Sequence, residues 1–288
     1  MRWEGDRESD NIEDRRGSGG GGFGFGGGTI GIGTIVIALL GSWLFGVSPS
    51  TILGLLSGGG NPAQVQQVPA HPPANDRETR FVRTVLAYTE DTWTQQFKAN
   101  GGTYRPPKLV LFSDRTPTAC GTGQSATGPF YCPADQKVYI DLSFFRLMEQ
   151  RFHASGEFTQ AYVIAHEVGH HVQNLLGISD KFEHARRNLS EGQANALSVR
   201  VELQADCLAG VWAKHTNEMR NIIQQGDVEA ALNAASAIGD DALQRQSQGV
   251  VVPDSFTHGT SAQRVRWFTR GIESGQMEQC NTFEARQL

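Results

Sequence analysis

From Asp76 onward, apolar side chains recur on a helical period through Phe81, Val85, Leu86, Tyr88, Trp93 and Phe97, until Gly101 and Gly102 end the run. That spacing predicts a first helix capped by Asp76. Two short runs, Lys108 to Phe112 and Lys137 to Leu142, hold aliphatic, β-branched or aromatic residues between turn residues and read as strands. A loop carrying Cys120 and Cys132 is expected between them. Further helices are predicted from Ser155 to Gly177, from Ser190 to His215, and over 227–238 and 261–274. One helix, then strands, then several helices describe an α+β domain rather than an alternating one.

Upstream the pattern changes. Residues 1–16 set Arg2, Arg7, Arg15 and Arg16 among Glu4, Asp6, Glu8, Asp10, Glu13 and Asp14 with no hydrophobic period. They read as a solvated tail that continues through a glycine-rich stretch to residue 28. Thr29 to Val47 then runs without an ionisable residue, and as a helix it would reach about 28 Å, close to the hydrocarbon thickness of a bilayer. Its long preceding segment and the lack of a small-residue cleavage site favour a retained transmembrane helix over a signal peptide. The four arginines precede the span and no Lys or Arg lies between it and Asp76, so the positive-inside rule places the N-terminus in the cytoplasm and the remainder outside. Residues 48–75, rich in Pro, Gly, Gln and Ser, would be a flexible tether, and 76–288 the folded domain.

Composition changes this picture little. With 288 residues, 39% hydrophobic and 19% charged, the chain has room for one substantial domain plus accessory segments. A net charge of -5 without a basic run gives a nucleic-acid partner no electrostatic support.

The candidate chemistry lies in His166-Glu167-Val168-Gly169-His170. Four helical steps return the second imidazole to within about 40° of the first, so both can grip one ion. Glu167 is offset by about 100° and sits where a general base belongs. Zn²⁺ takes neutral imidazoles readily and acidifies a bound water, which a nearby carboxylate can then deprotonate. Apolar neighbours on both sides give the segment the pattern of a buried central helix, and Gly169 within it implies that something packs close. A catalytic zinc needs a third protein ligand, for which Glu202 on the next strong helix is the best candidate. Asp206, one turn later, could accept a hydrogen bond from the other nitrogen of a ligating histidine. The alternative is a solvated pair of carboxylates facing Arg200. His171 points away from His170 and is expected to pack or hydrogen-bond. His258, in a polar loop followed by Arg264, could donate a hydrogen bond to an oxyanion or be a plain loop residue.

These blocks (HEVGHHVQ, ELQADCLAG and DSFTHGTSAQRVRWF, with the start MRWEGDRESDNIEDRR) resemble the bacterial neutral zinc metallopeptidase family over nearly the whole chain. HExxH followed by E-x-x-x-D also resembles the gluzincin class. The resemblance implies a zincin-like fold, one zinc ion held by His166, His170 and Glu202, Glu167 as base, Asp206 behind the ligands, a peptide or protein substrate, and a place in the bacterial inner membrane facing the periplasm. A wider group of zinc peptidases carries a later His-Pro with a following Arg near the site. Here Gly259 stands where proline would be, which weakens the parallel for His258 and Arg264.

Four cysteines, at 120, 132, 207 and 280, allow three pairings, and disulfides suit a domain outside the cytoplasm. The short loop favours Cys120 with Cys132, which leaves Cys207 for Cys280. Val138 to Leu142 is the expected edge strand for an extended substrate. A rival reading is a membrane-anchored scaffold whose zinc is structural; a site with an open coordination position favours the enzyme.

Overall fold

The structure, a computed structural model, describes residues 1–16, 75–125, 128–152 and 156–288. The apolar run 29–47 and nearly all of the tether lie outside the described residues, as does Ser155, the expected helix cap. Among the described residues no helix is long and apolar enough to cross a membrane.

Helix α1 (Arg77–Ala99) starts where Asp76 accepts a hydrogen bond from the Thr79 amide at 2.7 Å. Its apolar stripe, including Phe81, Val85, Leu86 and Trp93, is buried. Strands β1 (Ile12–Asp14), β2 (Lys108–Leu111), β5 (Phe130–Cys132) and β6 (Lys137–Ile140) form one sheet in the order β1-β2-β6-β5. Its first three members are parallel and β5 is antiparallel to β6. Strands β3 (Arg115–Thr118) and β4 (Gly121–Gln124) form a separate hairpin. After α2 (Ser143–Phe152) come α3 (Glu157–Leu175), α4 (Ile178–Arg186), α5 (Glu191–Arg220), α6 (Asp227–Ala237), α7 (Asp240–Gln248) and α8 (Ser261–Ser274). The domain is α+β.

Helix α3 is the centre of this arrangement. Ala161, Val163, Ile164, Ala165, Val168 and Val172 are all buried, because a helix apolar on most of its circumference must be covered on most sides. It packs against α1, α5, α6 and the β5–β6 end of the sheet.

Three expectations need correction. The stretch between the two foreseen strands is not merely a loop, since it folds as the β3–β4 hairpin followed by β5. Strand β6 is not an edge: β2 and β5 flank it, so β5 terminates the sheet on that side. Residues 1–16 are not a solvated tail. Trp3 is buried against Phe81 at 5.3 Å between ring centroids, the Ser9 amide donates to the Arg83 carbonyl at 3.0 Å, and β1 adds a strand beside β2. Their charges are paired with the domain, Arg7 with Glu90 and Asp91, Glu8 with Arg80, Glu13 with Lys137. A charge run looks solvated in sequence because its partners lie far along the chain. Trp3→Ala should therefore lower the unfolding free energy by about 3 kcal/mol, the cost of deleting a packed aromatic side chain, measured by denaturant titration. A dispensable tail would show no change.

Candidate metal centre

Helices α3 and α5 meet closely at a glycine. A Cβ on Gly169 would lie 3.1 Å from the Ala205 carbonyl oxygen and 3.3 Å from the Ala205 Cα. This close approach brings the inner face of α5 to the two histidines of α3.

The donor atoms of His166, His170 and Glu202 all lie within 4.8 Å of one another. The Glu202 carboxylate oxygen is 3.1 Å from His166 Nε2 and 3.5 Å from His170 Nε2. For ligands about 2.0–2.1 Å from a tetrahedral zinc, neighbouring donors stand roughly 3.3 Å apart, so these spacings fit one zinc ion. The chemistry of the set, two imidazoles and a carboxylate, fits as well. Among the described residues the group contains only these three, as in a site that keeps a place for water or substrate.

Each imidazole of this group is oriented from behind. His166 Nδ1 donates to Asp206 at 2.9 Å, which leaves Nε2 towards Glu202. Asp206 is fully buried and also accepts from the Tyr162 hydroxyl at 2.6 Å and from Nε and Nη2 of Arg264, each at 2.9 Å. Burial alone would raise the Asp206 pKa, but Arg264 and His166 outweigh it and hold the carboxylate ionised. Burial likewise opposes a charge on His166, yet the negative charges of Asp206 and then Glu202 raise its pKa to about 10. Glu202 is only partly exposed and does not pair with Arg200; that guanidinium donates instead to carbonyls of the C-terminal segment, among them Ala285 at 3.2 Å.

His170 Nδ1 donates to the side-chain oxygen of Gln173 at 2.9 Å. The Gln173 amide donates in turn to the Val201 carbonyl at 2.7 Å and to Gln204 at 3.0 Å, and Gln204 donates to the Cys280 carbonyl at 3.0 Å. Cys207 and Cys280 are joined by a disulfide, as are Cys120 and Cys132. A buried amide relay thus ties His170 to the cross-linked C-terminal segment. Glutamines carry no metal signature, so Gln173 and Gln204 escape a search for ligands; only their spacing on α3 and α5 could have found them.

Glu167 is buried beside the two imidazoles and Glu202. Burial first, and then Glu202, push its carboxyl upward against the opposing pull of the histidines. A base held in water-poor surroundings, with a raised proton affinity, suits proton transfer near neutrality. His171 lies off the centre as expected: its Nε2 is 2.6 Å from the Arg105 carbonyl and its Nδ1 is 3.0 Å from the Tyr131 hydroxyl of β5. It fastens the sheet to α3.

His258 stands in the loop before α8, with its side chain about half exposed (52%). Its Nδ1 is 3.2 Å from Asp240, whose other oxygen accepts the backbone amides of Thr257, His258 and Gly259 at 2.8, 2.6 and 3.0 Å. Asp240, at the start of α7, is a residue that sequence reasoning missed, because its work is done on a loop seventeen residues away in the chain. Gly259 has φ +95°, and a Cβ there would lie 3.2 Å from Val199 and 3.3 Å from Leu203, so glycine lets the loop lie on α5 beside Glu202. Burial opposes a charge on His258 only in part, since half the ring is exposed, and Asp240 and Glu202 raise its pKa.

Arg264 reaches Asp206 because α8 crosses α5 backbone to backbone. A Cβ on Gly271 would lie 2.0 Å from the Cys207 carbonyl oxygen, and one on Gly210 would lie 2.3 Å from that of Phe268. Gly271→Ala should push the helices apart, withdraw Arg264 and lower both stability, by about 2 kcal/mol, and zinc affinity. Calorimetric unfolding and zinc titration check this; an unaltered melt would refute the close crossing.

Comparison with known proteins points the same way. The family described as "Putative neutral zinc metallopeptidase" matches residues 1–283. The chain belongs to that family. Among its relatives, the uncharacterized protein YpfJ of Escherichia coli strain K12 is 53% identical over 289 residues, covering 98% of this chain and 99% of its own length. The uncharacterized protein Rv2575 of Mycobacterium tuberculosis strain H37Rv is 40% identical over 219 residues, covering 73% of each chain. No solved structure matches.

Proposed function

We propose that this chain is a zinc-dependent endopeptidase. The convergence of His166, His170 and Glu202 at zinc-ligand spacing, with Glu167 buried beside them, is the observation that carries the reading. Zinc held there would supply a Lewis acid that acidifies a water and polarises the scissile carbonyl. Glu167 removes the proton from the attacking water. As the C–N bond breaks, the same carboxyl delivers that proton to the leaving amine. His258, held by Asp240 through Nδ1, presents Nε2 and, in its protonated form, donates to the carbonyl oxygen as negative charge develops there. Asp206 and Gln173 keep the ligating rings in the tautomer that turns Nε2 towards the ion.

An extended peptide backbone would pair with β5, the strand that ends the sheet next to α3. A group of three donors among the described residues argues against a structural zinc, which is normally closed by four protein ligands. We also place the chain at a membrane through its apolar run 29–47, with the folded domain outside the cytoplasm. The two disulfides support that side, since such bonds persist in oxidising compartments. Purified full-length protein should hydrolyse members of a random peptide library, lose that activity to a chelator and regain it with one equivalent of zinc; hydrolysis that survives complete chelation would sink the reading.

A further inference from the structure

Residues 1–16 and the chain from Asn75 onward flank the only long apolar run in the sequence, yet they form one packed unit. Strand β1 is hydrogen-bonded in parallel to β2, with the Leu109 amide donating to the Asn11 carbonyl and the Arg15 amide to the Leu111 carbonyl, both at 2.8 Å. At the other end of the segment the Arg2 amide donates to the Ile222 carbonyl at 2.8 Å. The two ends of the stretch between them meet. The Arg16 guanidinium donates to the Thr79 hydroxyl at 2.7 Å and lies 3.5 Å from the Asp76 carboxylate, the cap of α1. Arg16, the last described residue before the apolar run, thus lies against the start of α1, the first element after it.

A polypeptide that crosses a bilayer once ends on opposite sides of it. That arrangement would require β1 to be stripped from β2, Trp3 to be drawn out of the core, and the pairs of Arg7, Glu8 and Glu13 to be broken across some 30 Å of hydrocarbon. It would leave buried backbone donors and acceptors of β2 unpaired as well. The charge argument for a cytoplasmic N-terminus is weakened by the same contacts: Arg7 lies against Glu90 and Asp91, and Arg16 against Asp14 and Asp76, so these arginines belong to the folded surface rather than to a free basic flank.

We propose that residues 1–16 and 75–288 lie on the same side of the membrane to which the apolar run attaches the chain. The chain between Arg16 and Asp76 contains no Asp, Glu, Lys or Arg. This inference rests on the membrane attachment proposed above and is independent of the peptidase reading, because sidedness is measured without reference to zinc or hydrolysis.

The test uses the full-length protein with single cysteines introduced at exposed positions on either side of the run, Asp10→Cys and, separately, Glu218→Cys, in its own cells. The unsubstituted protein, whose cysteines are paired, is the blank. Spheroplasts are treated with a membrane-impermeant maleimide before or after permeabilisation, and membranes are then washed at alkaline pH. The expected result is protein retained in the washed membranes and the same ratio of labelling, intact over permeabilised, at both positions. Labelling of one position in intact spheroplasts and of the other only after permeabilisation would overturn the proposal, as would recovery of the protein in the wash.

Discussion

Replacing Glu167 with glutamine is expected to leave one zinc per chain in place and to lower peptide hydrolysis on the order of 10³-fold. The amide keeps the size and hydrogen-bonding shape of the carboxylate but cannot accept the proton of the attacking water. Glu167 is absent from the ligand set, so the metal should stay: the donors are His166, His170 and Glu202, oriented by Asp206 and Gln173. The loss should fall on kcat rather than KM, since the carboxylate acts in the transition state and contributes little to holding the peptide. Glu202→Gln should do the reverse in part, weakening zinc first and activity as a consequence.

The second large effect is on stability. Arg264→Met should cost about 4 kcal/mol, because it removes the countercharge of a carboxylate that no water reaches. Asp206 would keep only Tyr162 and His166 as donors. Asp206→Leu combined with Arg264→Met should recover much of that loss, since an apolar pair can fill the same space without a buried charge. The double variant separates two roles. It should fold, yet bind zinc about 10–100-fold more weakly, because His166 would no longer be held through Nδ1. Unfolding by denaturant and zinc titration on the same variants check both halves; a double variant with native zinc affinity would remove Asp206 from the account.

How far the sequence alone reveals this site depends on how local each signal is. The histidine pair on α3 is legible because a four-residue repeat and an apolar surround both sit within one helix, and Gly169 announced the neighbour that proves to be Ala205. Glu202 and Asp206 are legible because they lie one turn apart on the next long helix. Helices α1, α3 and α8 fall close to their expected limits for the same reason, each having its own apolar period, while α5 runs on past His215 to Arg220. Strand β1 is not legible: three residues, Ile12 to Asp14, carry too little alternation to stand out, and what makes them a strand is β2, almost a hundred residues later. The same holds for Asp240, whose partners are the amides of a distant loop, and for the amide relay from Gln173 to Cys280. Arg264 was foreseen only through a resemblance, and its place follows from Gly210 and Gly271, whose missing side chains set the approach of two helices.

The central claim is that His166, His170 and Glu202 hold a catalytic zinc served by Glu167. Its most direct test is to measure, on the same preparations of wild type and Glu167→Gln, the zinc bound per chain and the rate of peptide hydrolysis. The account predicts one zinc in each and hydrolysis in the wild type alone. A wild type that binds no zinc, or a Glu167→Gln variant that cleaves at the wild-type rate, would contradict it.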